Sequence, residues 1–291
     1  MWLASLFCVC FFSSTASAGR VECNSIRSAA MGRAVRYCAL LPPSYDADKA
    51  RRYPVVYYLH GLFENEQTFV DYGGWNLVEA AQDNKRIGEY LMVIPDGGRS
   101  FYINSKDGRQ LYENFLIRDF IPAIEKKYRI IGNRDSRGIS GVSMGGYGAL
   151  RLAFKHPQMF ASVSVHSAAL IEQLPRQLPD GVSRRLERRL QILGEVYGSP
   201  PDRAFWDANN VFTYARQTPA ARLRQLKIYF DCGSEDEYGF DAGATALHKL
   251  LESRNIPHEY HLYPGGHGPL YLAEHIDASL EFHSKAFGLT K

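Results

Sequence analysis

The chain has 291 residues, of which 45% are hydrophobic and 22% are charged. That balance is ordinary for a globular protein with a sizeable core, and α/β folds of this length often form one domain. The formal net charge of +3 is too small to indicate a nucleic-acid partner. The sequence therefore predicts a single globular domain, and none of its patterns indicates a metal ion or an organic cofactor.

The first eighteen residues differ from the rest of the chain. Residues 2–12 are almost entirely apolar, and residues 16–18 (Ala-Ser-Ala) supply the small side chains that a signal peptidase accepts. The apolar run is too short for a membrane-spanning helix. We therefore predict a signal peptide at residues 1–18, a mature domain at residues 19–291 without a membrane span, and a secreted or periplasmic location.

Two strands are predicted next, at Val21–Arg27 and Ala34–Leu41. If the four residues at 29–32 close a hairpin, counting outward along both strands puts Cys23 opposite Cys38. Directly opposed residues have the close Cβ spacing that a disulfide needs, and an oxidising compartment favours the bond. The sequence therefore predicts an antiparallel N-terminal hairpin with a disulfide between these two cysteines.

The third predicted strand, Pro54–His60, is a nearly continuous apolar run, which is typical of a strand buried on both faces of a parallel sheet. It ends in a loop that begins with Gly61. In α/β folds with a serine nucleophile, this loop and the residue after the nucleophile supply the two backbone N–H groups of an oxyanion hole. The predicted donors are Leu62 and Met144. We interpret His60 as a structural support for the loop, because in these folds the base follows the nucleophilic serine in the chain, whereas His60 precedes Ser143, the candidate nucleophile described next.

The pattern G-x-S-x-G occurs at Gly141, Ser143 and Gly145. It lies between a short predicted strand at 136–140 and a predicted helix at Tyr147–Lys155. A strand, a sharp turn and a helix form the context of a nucleophile elbow. Small neighbours allow the turn, and the helix N-terminus favours a developing negative charge. We therefore predict that Ser143 is a nucleophile.

A serine nucleophile needs a base and an acid, and in this architecture they follow in the order Ser, Asp or Glu, His. The last predicted strand, His258–Tyr263, ends in the loop Pro264–Gly268, in which a proline and three glycines surround His267. A histidine at the tip of such a loop can reach back toward the serine. The other histidines after Ser143 lie in predicted strands or helices, so His267 is the predicted base.

The acid is expected just after the preceding strand, Leu226–Cys232. Asp236 is the preferred residue, and Glu235, Glu237 and Asp241 remain as alternatives. The role of the acid is to hold the imidazole in the correct tautomer and to stabilise the imidazolium without taking its proton. The cysteine that ends the strand is interpreted as a buried thiol without a nucleophilic role.

A helical insertion is predicted at about 167–225, between the sixth and seventh strands. Its arginine-rich segment Ser183–Leu193 has leucines at helical spacing, which favours an amphipathic helix with a solvated face. A site for a substrate carboxylate or phosphate is the alternative. Six side chains in this insertion and on the loop after the fourth strand have two interpretations, as a substrate pocket or as packing. They are Phe101, Tyr102, Asn104, Phe205, Trp206 and Phe212.

Six short motifs are spread through almost the whole mature chain. They are L-P-P-S-Y at 41–45, Y-L-H-G at 58–61, I-P-D-G-G at 94–98, G-V-S-M-G-G-Y-G-A-L at 141–150, C-G-S-E-D at 232–236 and P-G-G-H at 264–267. Together they resemble the esterase D branch of the α/β-hydrolases, which includes S-formylglutathione hydrolases, feruloyl and acetyl xylan esterases, and mycolyltransferases. The resemblance implies a mostly parallel central sheet with helices on both faces. It also implies the triad Ser143, Asp236 and His267.

The sequence thus predicts a secreted serine carboxylesterase that acts through an acyl-enzyme on a small-molecule or polysaccharide-linked ester. Three alternatives stay open. They are an S-formylglutathione thioester hydrolase, an acyltransferase with the same triad, and a catalytically inactive carbohydrate-binding module. The acyl and alcohol parts of the substrate and the oligomeric state do not follow from the chain.

Overall fold

The computed structural model describes residues 19–174 and 192–290. The predicted signal peptide and residues 183–191 of the predicted arginine-rich helix lie outside these residues. Within them, one sheet contains eight strands, which are β1 Arg20–Arg27, β2 Ala34–Leu41, β3 Val55–Leu59, β4 Leu91–Pro95, β5 Arg137–Val142, β6 Ser162–His166, β7 Lys227–Gly233 and β8 Glu259–Tyr263.

The helices lie between and after the strands. They include α1 Ser44–Ala47, α2 Thr68–Asp71, α3 Gly74–Asp83, α4 Tyr112–Asn114, α5 Ile121–Lys127, α6 Met144–Lys155, α7 Arg203–Asn209, α8 Val211–Gln217, α9 Ala220–Leu223, α10 Phe240–Ser253 and α11 Pro269–Ala286. A π-helical segment, Phe115–Phe120, joins α4 to α5, and a 3-10 turn, Arg134–Ser136, precedes β5. No helix in the described part of the chain is both long and apolar enough to cross a bilayer.

The strands follow the order β1-β2-β4-β3-β5-β6-β7-β8 across the sheet. β1 pairs antiparallel with β2 in a register that places Cys23 opposite Cys38, and the two cysteines form a disulfide. β2 also runs antiparallel to β4, whereas the other neighbours are parallel. The predicted combination of a mostly parallel sheet and an antiparallel N-terminal hairpin is therefore confirmed.

Alternate residues of β3 contribute to the cores on opposite faces of the sheet. Val55, Tyr57 and Leu59 belong to a large apolar cluster with α6, α7 and α8, whereas Val56 and Tyr58 belong to a second cluster with α3 and α11. All five are buried, because side chains alternate along a strand and helices cover both faces. This double coverage is why the strand is apolar throughout.

A buried polar cluster joins the end of α7 to α6. Arg151 on α6 donates to Glu113 Oε2 at 2.8 Å and to Asn209 Oδ1 at 2.5 Å. The Tyr147 hydroxyl donates to the carbonyl oxygen of Asn209 at 2.6 Å. Buried charge needs such paired contacts to be stable, so the cluster fixes α7 against the helix that follows Ser143.

Candidate active site

Ser143 lies at the sharp turn between β5 and α6, where its φ is 54° and its ψ is −116°. This backbone conformation is rare for a residue with a Cβ. The Ser143 N–H donates to the carbonyl of His166, and its own carbonyl accepts from Tyr147 and Ala169, each at 3.0 Å. These three hydrogen bonds hold the strained turn, and the predicted strand, turn and helix are all present.

Close backbone contacts explain the glycines on either side of the serine. A Cβ on Gly145 would lie 1.8 Å from the carbonyl oxygen of Leu59, and a Cβ on Gly141 would lie 2.5 Å from the carbonyl oxygen of Gly145. A larger residue at either position would force the turn away from β3. The turn therefore packs against the end of β3, from which the oxyanion loop begins.

His267 lies on the loop between β8 and α11 and bridges Ser143 and Asp236. Its Nε2 is 3.0 Å from Ser143 Oγ, and its Nδ1 is 2.8 Å from Asp236 Oδ2. Because an ionised carboxylate only accepts, Nδ1 carries the hydrogen and Nε2 is left to accept from the serine hydroxyl. The structure thus brings together the three residues that the order along the chain selected.

The Asp236 side chain is completely buried. Its Oδ1 accepts the Tyr238 N–H at 2.9 Å. Burial acts to raise the pKa of Asp236, but the hydrogen bond and charge of His267 and the N–H groups of Tyr238 and Phe240 outweigh burial and hold the pKa below its usual value. The carboxyl group is therefore ionised at neutral pH and accepts a hydrogen bond from His267 Nδ1.

The alternative acids have other surroundings. Glu235 and Glu237 are exposed, and Asp241 lies in the first turn of α10. The Glu237 carboxylate meets the main chain rather than the ring, since its Oε2 accepts the backbone N–H of His267 at 2.7 Å. Asp236 is thus the acid at the imidazole ring, and Glu237 ties down the loop that carries the ring.

Two aromatic residues that the sequence analysis did not select hold the imidazole in place. Tyr238 and Phe240 meet the His267 ring edge to face, with centroids 4.6 and 5.5 Å away. Both rings follow Asp236 closely in the chain, so one loop supplies the acid and the contacts to the ring. Their position just after the acid was the signal that could have identified them.

The loop after β3 is fixed by His60, which is completely buried. Its Nε2 accepts the Gly97 N–H at 2.7 Å, and its Nδ1 lies 2.8 Å from the carbonyl oxygen of Gly61. Because Nε2 accepts, the hydrogen of the ring is on Nδ1. The Gly61 N–H donates to Glu64 Oε2 at 2.7 Å, which closes the turn around Leu62. These contacts agree with the structural role expected for His60.

A second group of serine, histidine and aspartate residues lies in the core but is not arranged as a triad. His283 has Nδ1 2.7 Å from Ser162 Oγ and Nε2 2.7 Å from Ser164 Oγ, so serine hydroxyls occupy both ring nitrogens. Asp231 lies instead against His166 and accepts from two tyrosine hydroxyls. Each of these five residues is at most 1% exposed, so a substrate cannot reach them.

In the described part of the chain, no group of three or more His, Cys, Asp and Glu side chains is arranged to hold a metal ion.

Six side chains were predicted to line a substrate pocket or to serve in packing, and for most of them the structure shows packing. Asn104 Oδ1 accepts the N–H of Asn114 at 3.1 Å. Phe205 is partly buried and packs against the core, and its ring lies 6.1 Å from that of Tyr197. The buried members of the set are Phe101, Tyr102, Trp206 and Phe212.

In α/β-hydrolases, the nucleophilic serine lies at a strand-to-helix elbow and contacts a histidine on the loop after the last strand. The arrangement described above is the same. Comparison with known proteins narrows this class. The family model described as "Putative esterase" matches residues 28–282, and the chain belongs to this family, in an esterase branch of the α/β-hydrolase superfamily.

Two curated proteins illustrate the likeness in sequence. Esterase Rv1288 of Mycobacterium tuberculosis is 31% identical over 248 residues, which cover 78% of this chain and 51% of that protein. The chain thus spans about half the length of this relative. An acetyl esterase of Caldicellulosiruptor saccharolyticus is 26% identical over 236 residues, which cover 79% of this chain and 83% of that protein.

Two solved structures illustrate the likeness in fold. A ferulic acid esterase has a TM-score of 0.79 and 26% identity, and the match covers 93% of this chain and 99% of that chain. An S-formylglutathione hydrolase from Agrobacterium tumefaciens has a TM-score of 0.72 and 19% identity, with 94% and 98% covered. The predicted α/β-hydrolase fold is therefore confirmed.

Proposed function

We propose that the chain is a secreted serine carboxylesterase in which Ser143 is the nucleophile, His267 the general base and Asp236 the acid that orients the base. The observation that carries the proposal is the continuous line of contacts from Ser143 Oγ through both ring nitrogens of His267 to the buried Asp236 carboxylate. Membership of the esterase family and the names of the relatives support ester hydrolysis as the reaction.

The reaction proceeds in two halves. Ser143 Oγ attacks the carbonyl carbon of the ester while its proton passes to His267 Nε2. The bond to the alcohol oxygen then breaks, His267 returns the proton to that oxygen, and an acyl ester of Ser143 remains. Water gives a proton to His267 and attacks the acyl carbon; the bond to Ser143 Oγ then breaks, His267 returns the proton to Oγ, and the carboxylic acid leaves. The ionised Asp236 stabilises the imidazolium in both halves.

The negative charge on the carbonyl oxygen is held by the backbone N–H groups of Leu62 and Met144. Met144 is the first residue of α6, so its N–H has no partner within the helix and lies at the positive end of the helix dipole. Leu62 lies within the turn that the Gly61–Glu64 contact closes. Loss of one such donor typically costs about 10²- to 10³-fold in kcat.

We further propose that residues 1–18 form a signal peptide, that residues 19–291 form one catalytic domain, and that residues 167–225 are a helical insertion in it. Export would place the protein outside the cytoplasm, where disulfides persist. The Cys23–Cys38 disulfide supports this location.

A panel of esters and one variant test the proposal. The wild-type protein should hydrolyse p-nitrophenyl acetate, and acetylated xylan, methyl ferulate and S-formylglutathione complete the panel. Ser143→Ala should lower kcat by about 10⁴- to 10⁶-fold without changing the circular dichroism spectrum.

The possible outcomes separate the rival functions. Residual activity of Ser143→Ala above about a tenth of wild type would refute Ser143 as the nucleophile. A strong preference for S-formylglutathione would favour the thioester hydrolase, and acyl transfer to a sugar that outpaces hydrolysis would favour the acyltransferase. No hydrolysis of any ester by the wild-type protein would favour the inactive carbohydrate-binding module.

A further inference from the structure

A groove lies between the segment after the oxyanion loop and the first turns of α11, and we refer to it as the α11 groove. It is shallow and partly open to solvent. Its walls are mostly apolar. They include Phe69, Tyr72 and Leu77 on one side and Pro269, Leu272 and Ala273 on the other.

Both walls of the groove continue directly from the proposed catalytic loops. Glu64, which lines the groove, follows Leu62 by two residues, and Pro269 follows His267 by two residues. Two residues span at most about 7 Å of extended chain. The groove therefore begins within about 7 Å of chain from the proposed oxyanion donor Leu62 and from the proposed base His267.

Large apolar side chains are exposed around this groove. In the described part of the chain four such side chains are exposed, and three lie on the segments that form the walls: Phe63 at 60%, Tyr72 at 65% and Leu270 at 81%. The fourth, Leu262, lies on the edge strand β8. Because grouped exposed apolar side chains mark binding surfaces, the exposure points to an apolar ligand.

Glu64 gives the groove a fixed negative charge. Its Oε2 accepts the Gly61 N–H at 2.7 Å, so the carboxylate is held where the groove meets the oxyanion loop. Tyr58 lies in the lining beside it, and burial together with the Glu64 charge raises the pKa of its hydroxyl well above the usual value. An anionic substituent that entered the groove would lose water and face this carboxylate, which is unfavourable.

We propose that the α11 groove binds an uncharged, apolar group attached to the scissile ester and that Glu64 makes it reject anionic groups. The inference rests on the proposed esterase function and names the substrate class. The apolar group can belong to the acyl part or to the alcohol part of the ester, and the experiment distinguishes the two.

Filling the groove is the first test. Ala273→Trp places a large ring on an exposed lining position. It should lower the ratio of kcat/KM for a long ester to kcat/KM for a short ester by about tenfold or more, because several methylene groups lose their contact. The ratio is measured for p-nitrophenyl hexanoate against the acetate, and separately for phenyl acetate against methyl acetate.

The two pairs of esters show which part of the substrate the groove binds. A fall confined to the first pair assigns it to the acyl group, and a fall confined to the second assigns it to the alcohol. Ala221→Trp is the matched control, since Ala221 is exposed on α9 and does not line the groove, and both ratios should match wild type. Ala273→Leu should change the ratio in the same direction by less, and it keeps the test valid if the tryptophan variant does not fold.

Removing the charge is the second test. Glu64→Gln keeps an oxygen that can accept from Gly61 but is neutral. The ratio of kcat/KM for p-nitrophenyl hemiglutarate to kcat/KM for p-nitrophenyl butyrate should rise about fivefold or more in this variant, because the like charge is gone. Unchanged ratios in both tests, from a wild-type protein that hydrolyses p-nitrophenyl acetate, would overturn the inference and leave the esterase proposal standing. A wild-type protein that hydrolyses no ester would overturn both.

Discussion

Asp236 and Glu237 are neighbours with different tasks, which their surroundings determine. The Asp236 carboxylate is buried and meets the ring of His267, whereas Glu237 is exposed and meets the backbone N–H of the same residue. Consecutive side chains in this loop point to different sides, so one acid can orient the imidazole while the next holds its main chain. The carboxylate in contact with the imidazole ring is that of Asp236.

The two acids should therefore respond differently to loss of charge. Asp236→Asn should lower kcat/KM for p-nitrophenyl acetate by about 10⁴-fold, because the amide favours the wrong tautomer of His267. Glu237→Gln keeps an oxygen acceptor for the His267 N–H and should cost less than about tenfold. Glu235→Gln, at an exposed position, is the control and should cost no more. A loss in Glu237→Gln as large as that in Asp236→Asn would give the role of the acid to Glu237.

The sequence was informative about the proposed catalytic residues because each follows a predicted strand. Ser143, Asp236 and His267 lie after β5, β7 and β8, and parallel strands bring their carboxyl ends to one edge of the sheet. The strand predicted at 136–140 was too short, since β5 extends to Val142, which pairs with β6. The end of a strand depends on the neighbouring strand with which it pairs, and the local sequence does not show that partner.

The α11 groove and the contacts of the imidazole could not be predicted in the same way. The groove joins Tyr58 on β3, Leu77 on α3 and Ala273 on α11, and nothing in the local sequence indicates that these segments meet. Tyr238 and Phe240 are ordinary loop aromatics until the position of His267 is known. Side-chain contacts between distant segments follow from the packing of helices on the sheet rather than from turn chemistry.

At the scale of elements, the N-terminal hairpin is separate from the proposed catalytic machinery. β1 is one edge of the sheet, and three strands lie between it and β5. The disulfide joins β1 to β2 across a sequence separation of 15 residues, which corresponds to about 3 kcal/mol of stabilisation through the unfolded chain. Cys23 is exposed and Cys38 is buried, so a reductant can approach the bond from one side.

Loss of the disulfide should lower stability without affecting catalysis. Reduction, or the double substitution Cys23→Ser and Cys38→Ser, should lower Tm by several degrees and leave kcat for p-nitrophenyl acetate unchanged. Reductant should have no effect on the Tm of the double variant, which is the control.

Peptide mapping of the exported protein should find Gly19 near the start and the two cysteines joined. An intact Met1 would contradict export, and free thiols at both cysteines would contradict the bond.

At the scale of the whole molecule, His283 links α11 to the centre of the sheet. Its ring is buried between the hydroxyls of Ser162 and Ser164, and it lies against Gly138, where an added Cβ would be 2.7 Å from Nδ1. Burial, with a smaller contribution from the nearby His166, lowers the pKa of His283 to about 3. The folded protein therefore keeps this ring neutral at a pH at which the unfolded chain would protonate it.

The buried histidine should make the free energy of unfolding depend on pH. Above pH 6.5, the usual pKa of histidine, the ring is neutral in both states and contributes no pH dependence. As the pH falls from 6.5 toward about 3, only the unfolded chain binds this proton, so stability decreases by up to about 1.4 kcal/mol per pH unit. Urea denaturation at pH 7.5, 6.5, 5.5 and 5.0 measures how the free energy of unfolding changes with pH. These values lie above the pH range in which most carboxylates titrate.

The variant His283→Gln isolates this contribution. Glutamine can still donate to one serine hydroxyl and accept from the other, but it binds no proton. The variant should be less stable than wild type at pH 7.5, because a fitted ring is lost from the core, and the difference should shrink as the pH falls to 5.0. A difference that stays constant over this range would mean that His283 is protonated in the folded protein as readily as in the unfolded chain.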